Sequence, residues 1–263
     1  ISGAIMNSLA LKAFTFGETP EQSLFYAVMV LSVGIALAGV FVLILIKDGK
    51  VETSAEDKFD FSVVLDLLKS PLLWVFSFIV FCGYSIYSST SYFTPYLTNV
   101  VGVSVEESGA FSIIRSYLFY LLSPIGGYLA DKIFHSTSKL FVVLFALLAA
   151  SIFGVLALPS GMSTFAVSVY TLLPGAFGLM LYGLVFSVVR EAGIPVTVAG
   201  TAIGIASIIG YTPDFFMSTM FGSWLDAHGN AGYNMIFTFL GSVAAAGVVL
   251  SFIVMLRGRK HNA

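Results

Sequence analysis

The 263-residue chain is 58% hydrophobic and only 10% charged, with a net charge of −2 and a mean hydropathy of +0.97. A soluble domain holds roughly 25% charged residues, so a water-soluble globule is excluded, and the absence of a basic patch argues against nucleic acid as a partner. One cysteine, Cys82, and three scattered histidines, His135, His228 and His261, offer no basis for a disulfide or a shared metal site.

A bilayer core about 30 Å thick needs about 20 mostly apolar residues as helix. Seven segments reach or approach that length, at roughly 23–46, 72–98, 106–130, 139–158, 163–189, 197–223 and 232–256. The opening ISGAIMNSLALKAF lacks the basic start of a signal peptide. It reads as the outer end of a span that begins upstream, so residues 1–46 are assigned to a preceding unit. Residues 47–71 form a linker, charged through KDGKVETSAEDKFD and then amphipathic. Phe61, Val64, Leu65 and Leu68 recur at helical spacing, with Asp60 to cap and Pro71 to stop the helix. Such a helix lies along the inner membrane surface. Residues 72–263 carry the six remaining spans, joined by short loops.

Ten of the twelve basic residues fall on one side if the spans alternate: Lys47, Lys50, Lys58, Lys69, Lys132, Lys139, Arg190, Arg257, Arg259 and Lys260. By the positive-inside rule that side is cytoplasmic and holds the C-terminus. Glu191, beside Arg190, reads as its solvated partner.

The second span is unusual. Between Tyr84 and Tyr96, ten of thirteen side chains carry a hydroxyl. They surround the helix, so some must bond carbonyls three or four residues back while others reach neighbours or water. Gly83 and Pro95 favour a local break, and irregular backbone at membrane depth is tolerated only where it is buried or lines water.

The loop after the third span reads GGYLADKIFHSTSKL, residues 126–140. Its glycine, leucine, aspartate and basic residue, Gly127, Leu129, Asp131 and Lys132, resemble the loop signature of the major facilitator superfamily. The layout of trailing helix, charged linker, six spans and basic tail resembles the C-terminal half of such a transporter. The usual following glycine and second basic residue are replaced by Phe134 and His135. The resemblance implies an all-α membrane protein, a six-helix bundle plus one preceding helix, with an N-terminal half outside this sequence. It further implies alternating access, a close helix approach at Gly127, and a cytoplasmic gate at the signature residues.

Charges inside the membrane are costly and point to function. Arg115 in the third span and Asp214 in the sixth each lie about nine residues from the outer end, roughly 13 Å deep at 1.5 Å per residue. They could pair with each other. Alternatively, Arg115 offers a planar fork to an anionic solute, a placement that resembles the nitrate/nitrite branch of the superfamily. Asp214 then becomes a group for proton coupling. Pro213 bends the sixth span just before it, and Gly200, Gly204 and Gly210 give that span a close-packing face. The fifth span sets Tyr170, Pro174, Gly178 and Tyr182 on one face.

The expected function is therefore secondary transport of a small polar, anionic solute across the inner membrane. Arg115, Tyr84, Tyr87, Ser88, Tyr182 and Tyr211 are the expected binding residues. Neither a cofactor nor an enzymatic constellation is indicated. Multidrug-type efflux is the alternative within transport, and a non-transporting scaffold or receptor the alternative outside it.

Overall fold

The computed structural model describes residues 9–10, 12–13, 16–45, 61–117, 121–159 and 161–261. The linker residues 47–60, with Asp60 and three of the linker lysines, lie outside them. Every regular element among the described residues is helical. The chain divides into two compact units, Ile1–Phe59 and Asp60–Ala263.

The first unit is dominated by α1, Pro20–Leu45. Thr19 opens it, its Oγ1 accepting from Gln22 N at 3.3 Å, while Gln22 Oε1 takes Glu18 N at 3.2 Å. This reciprocal cap, followed by proline in the first turn, satisfies donors a helix start leaves open. The helix is apolar all round and its large side chains are bare, as a membrane span requires.

The second unit begins with α2, Phe61–Lys69, which the proline after Ser70 terminates. Leu67 is the buried leucine of α2, whereas Leu65 and Leu68 are exposed. Trp74 Nε1 donates to Leu68 O at 2.8 Å and fastens α2 to the next helix. That helix is α3, Pro71–Ser89. It passes into a 3₁₀ turn at Thr90–Tyr92, a turn of α-helix at Phe93–Tyr96 and a π turn at Leu97–Val101, ending on Gly102 at φ +81°. The hydroxyl run accounts for the change of gauge. Ser88, Thr90 and Ser91 donate to the carbonyls three residues back, at 3.4, 2.8 and 3.3 Å, and Pro95 contributes no N–H. At Gly83 the helix continues unbroken.

The third span is carried by α4, Val105–Tyr117, and α5, Leu122–Tyr128. Then come α6, Thr137–Leu156, and a fifth span in two pieces, α7, Thr164–Tyr170, and α8, Leu172–Tyr182. The pieces meet at Thr171, whose Oγ1 donates to Ser168 O at 2.8 Å. Beyond Tyr182 the span loosens, with 3₁₀ geometry over Val185–Val189 in place of the α-helix expected to residue 189. The sixth span is α9, Ala199–Gly210, and α10, Pro213–His228, separated at Tyr211–Thr212 ahead of Pro213. Last is α11, Gly232–His261.

Five described stretches are long and apolar enough to cross a membrane: Glu21–Leu45, Pro71–Val101, Thr137–Leu156, Thr164–Tyr182 and Ala199–Arg257. The last runs to 59 residues, far beyond the roughly 20 that one crossing takes. It turns at Gly229, φ +54°, bringing α11 back against α10.

In this unit α3 packs against α8, α9 and α11, and α11 also runs along α6. Phe76, Ile79, Phe141, Phe145 and Phe237 are completely buried between them. Ala202, Ala206 and Gly210, four residues apart, form the packing stripe of α9. A β-carbon at Gly210 would strike Val80 Cγ1 on α3. At Gly200 and Gly204, expected on that stripe, a β-carbon would meet no atom within 4 Å among the described residues. Small residues serve close approach only on the face turned to a neighbour.

Candidate functional site

The helical repeat sorts the hydroxyl run of α3. Tyr84, Tyr87, Ser88 and Ser91, spaced i, i+3, i+4 and i+7, form its partly open face, whereas Ser85 and Ser89 turn inward. Onto that face come Tyr182 from the end of α8 and Tyr211 from the break between α9 and α10. Tyr87 and Tyr182 stack at 4.3 Å and 11°, and Tyr84 meets Tyr211 edge-on at 4.6 Å. The Tyr182 and Tyr211 hydroxyls lie 3.3 Å apart. Tyr84 Oη donates to Asp214 Oδ2 at 2.6 Å. Four expected tyrosines and the expected carboxylate thus meet in one cluster. Tyr170 does not join it, because its ring lies against Gly154 of α6.

Arg115 does not pair with Asp214. Among the described residues the one ion pair is Lys69–Asp66, at 3.1 Å on the exposed surface of α2. Arg115 instead lies under the 3₁₀ turn at the end of α3. Its Nη1 donates to Thr90 O at 3.4 Å and Thr94 Oγ1 at 3.3 Å, and its guanidinium carbon sits 5.3 Å from the Phe93 ring centroid. The residue is 3% exposed, and neither Nε nor Nη2 has a hydrogen-bond partner among the described residues. A cation with two buried, unmatched donors is costly, on the order of 1–3 kcal/mol per donor. Gly175 on α8 leaves room for the side chain, since a β-carbon there would stand 2.6 Å from Arg115 Cγ.

Two cavities flank the serine turn. One, of about 210 Å³, is lined by Arg115, Tyr87, Ser88, Thr90, Ser116 and Leu179. The other, of about 240 Å³, is lined by Asp214 and Ser218 of α10, by Ser88 and Ser89 at the end of α3 and by Ser91 in the 3₁₀ turn. Ser88 belongs to both. The arrangement can hold an anion at one end and a cationic or proton-bearing group at the other, with aromatic rings and hydroxyls between.

At the signature loop the close helix approach falls on Gly126 rather than Gly127. A β-carbon on Gly126 would stand 2.6 Å from Met180 Cγ, whereas one on Gly127 would make only an ordinary 3.9 Å contact with Leu184. Leu129 packs against the core. Asp131 and Lys132 are exposed on a π turn, Leu129–Phe134, that closes on His135 at φ +50°, and neither makes a polar contact among the described residues.

Glu191 is not the solvated partner of Arg190. Its carboxylate reaches the N-terminus of α6, with Oε2 accepting from Ser138 N at 3.0 Å and Ser136 Oγ at 2.8 Å, and Oε1 from Thr137 N. Burial pushes this carboxyl up, but the hydrogen bonds from Ser138, Ser136 and Thr137 outweigh it and hold the group below its ordinary value. Negative charge at a helix N-terminus is also favoured by the backbone dipole. Sequence reasoning missed Gly175, Thr94 and this clamp. Only the Ser136–Thr137–Ser138 run, which reads as a helix start, hinted at the clamp.

The inner membrane protein YihN of Escherichia coli K12 is 31% identical over 238 residues, covering 89% of this chain and 56% of that protein. The inner membrane protein YqcE of the same organism is 28% identical over 253 residues, covering 92% of this chain and 58% of that protein. The chain spans about half the length of these curated relatives. No solved structure gave a significant match. The family model described as Major Facilitator Superfamily matches residues 3–213, which with the all-helical, multi-pass architecture places this chain in that family of membrane transporters.

Proposed function

We propose that this chain is the solute-selecting half of an inner-membrane secondary transporter for a small anionic solute. A preceding N-terminal half would complete the path, in keeping with the share of its relatives that the chain spans. The observation that carries the anion reading is the buried Arg115 with two unmatched nitrogens at a cavity wall. Its planar fork suits two oxygens of a carboxylate, sulfonate or phosphate group. Tyr84, Tyr87, Ser88, Tyr182 and Tyr211 wall the path with rings and hydroxyls.

Asp214 is the coupling group in this reading. A proton or other cation on it offsets the charge of the anion, and Tyr84 holds the carboxylate in place from α3. The cycle is alternating access, the bundle rocking against its partner half around a site near mid-membrane. Gly127, Leu129, Asp131 and Lys132 form the cytoplasmic gate, their exposed charges meeting the partner half when that side is shut. The C-terminus is cytoplasmic, by the distribution of basic residues.

Uptake of labelled anions into vesicles containing the full-length protein tests the reading. Wild type should accumulate an organic anion under an imposed ion gradient, and Arg115→Met should abolish uptake. Equal uptake by Arg115→Met would remove the anion site.

A further inference from the structure

We propose that the Asp214 cavity is a binding site for Na⁺, the coupling cation of this transporter. The proposal rests on Asp214 as the coupling group and names its occupant.

The chemistry of the wall carries the argument. Asp214 lines the cavity together with Ser88, Ser89, Ser91, Tyr92 and Ser218, and none of the residues lining the cavity is cationic. Two of these serines already spend their protons. Ser88 Oγ donates to Ser85 O and Ser91 Oγ to Ser88 O, at 3.4 and 3.3 Å, so what they offer the cavity is lone pairs. Tyr84 occupies only Oδ2 of Asp214, leaving Oδ1 open.

Ser89 is the independent sign of a ligand. It is 2% exposed, lines the cavity, and makes no hydrogen bond among the described residues. Its hydroxyl lacks a protein partner at a cavity wall, so whatever fills the cavity meets it. The adjacent backbone departs from α geometry at Thr90–Tyr92, and unwound segments at membrane depth supply oxygens to Na⁺ in transporters built from helical repeats.

Charge selects the ion. Divalent Ca²⁺ sites gather several carboxylates, and Mg²⁺ demands strict octahedral geometry with retained water. One carboxylate among neutral oxygens matches a single positive charge. The cavity, at about 240 Å³, admits the ion with part of its hydration shell.

The test is equilibrium binding of ²²Na⁺ to the full-length protein in lipid nanodiscs, with N-methylglucamine replacing Na⁺ in the background. Saturable binding is expected, with the dissociation constant raised about tenfold or more by Asp214→Asn and several-fold by Ser89→Ala, the loss of one charged and one neutral ligand. Arg115→Met should retain Na⁺ binding while losing anion binding, which separates this site from the anion reading. Saturable binding that both Asp214→Asn and Ser89→Ala leave unchanged would overturn the proposal, as would an absence of saturable binding by correctly folded wild type. In the latter case, Arg115-dependent uptake driven by a pH gradient would leave Asp214 as a proton carrier and the anion reading intact.

Discussion

Gly175 and Arg115 occupy one another's space. A β-carbon on Gly175 would stand 2.6 Å from Arg115 Cγ and 3.1 Å from Cδ, so α8 fixes where the buried guanidinium sits. Gly175→Ala is expected to push the side chain aside and weaken anion transport about tenfold in kcat/KM, as small misplacements of a positioned group do. The measurement is uptake kinetics beside a thermal melt, which should fall by only a few degrees. Unchanged kinetics would mean that the position of Arg115 is not critical.

Tyr84 Oη and Asp214 Oδ2, at 2.6 Å, join α3 to α10. Tyr84→Phe keeps the ring but removes the bond. It should lower ion-driven accumulation several-fold, since the carboxylate loses its fixed partner, worth about 1.5–3 kcal/mol for a bond to a charged group. Anion exchange without a driving gradient should change less. Equal loss in both assays would assign Tyr84 to the solute rather than to coupling.

The Glu191 clamp predicts a stability effect with a defined pH sense. Its carboxyl is held below its ordinary value of 4.5, so its contribution is present above that value and is lost as pH falls through the lower, folded value. At neutral pH, Glu191→Ala should destabilise by about 1–2 kcal/mol, the usual cost of removing a helix cap. Denaturation at neutral pH and in acid, below the ordinary carboxyl value, should show the gap between variant and wild type closing as pH falls. A gap that widens in acid would contradict the clamp.

Neighbouring glycines give a paired prediction at the signature loop. Gly126→Ala meets Met180 Cγ and Leu184 Cδ1 at 2.6 and 3.0 Å and should destabilise by about 1–3 kcal/mol through overpacking. Gly127→Ala has room and should stay within about 0.5 kcal/mol. Thermal unfolding of both variants in the same detergent decides the point.

Much of this architecture is legible in the sequence. Apolar length marks the spans, and the rarity of charge singles out Arg115 and Asp214. The crowding of hydroxyls between Tyr84 and Tyr96 is legible too, but not which of them share the face that Tyr182 and Tyr211 join, since they surround the helix. What escapes is helix rotation. Gly126 and Gly127 are equivalent in a pattern, as are the glycines of α9, until a neighbour picks the packed face. Contacts distant in sequence escape for a related reason. Glu191 lies more than fifty residues from the helix start it caps, and no local spacing announces Gly175 as the neighbour of Arg115. The α-to-3₁₀ change at Thr90 sits inside the hydroxyl run rather than at the flanking glycine, because the side chains compete for the carbonyls.

Selection of an anion by Arg115 is decided by equilibrium binding. Radiolabelled organic anions, carboxylate, sulfonate and phosphate ester, are presented to the purified full-length protein and to Arg115→Met, both verified as folded. Wild type should bind at least one anion saturably, with binding weakened a hundredfold or more in the variant, as befits loss of a buried charged partner worth about 3 kcal/mol. Equal anion affinity in the two proteins would contradict it.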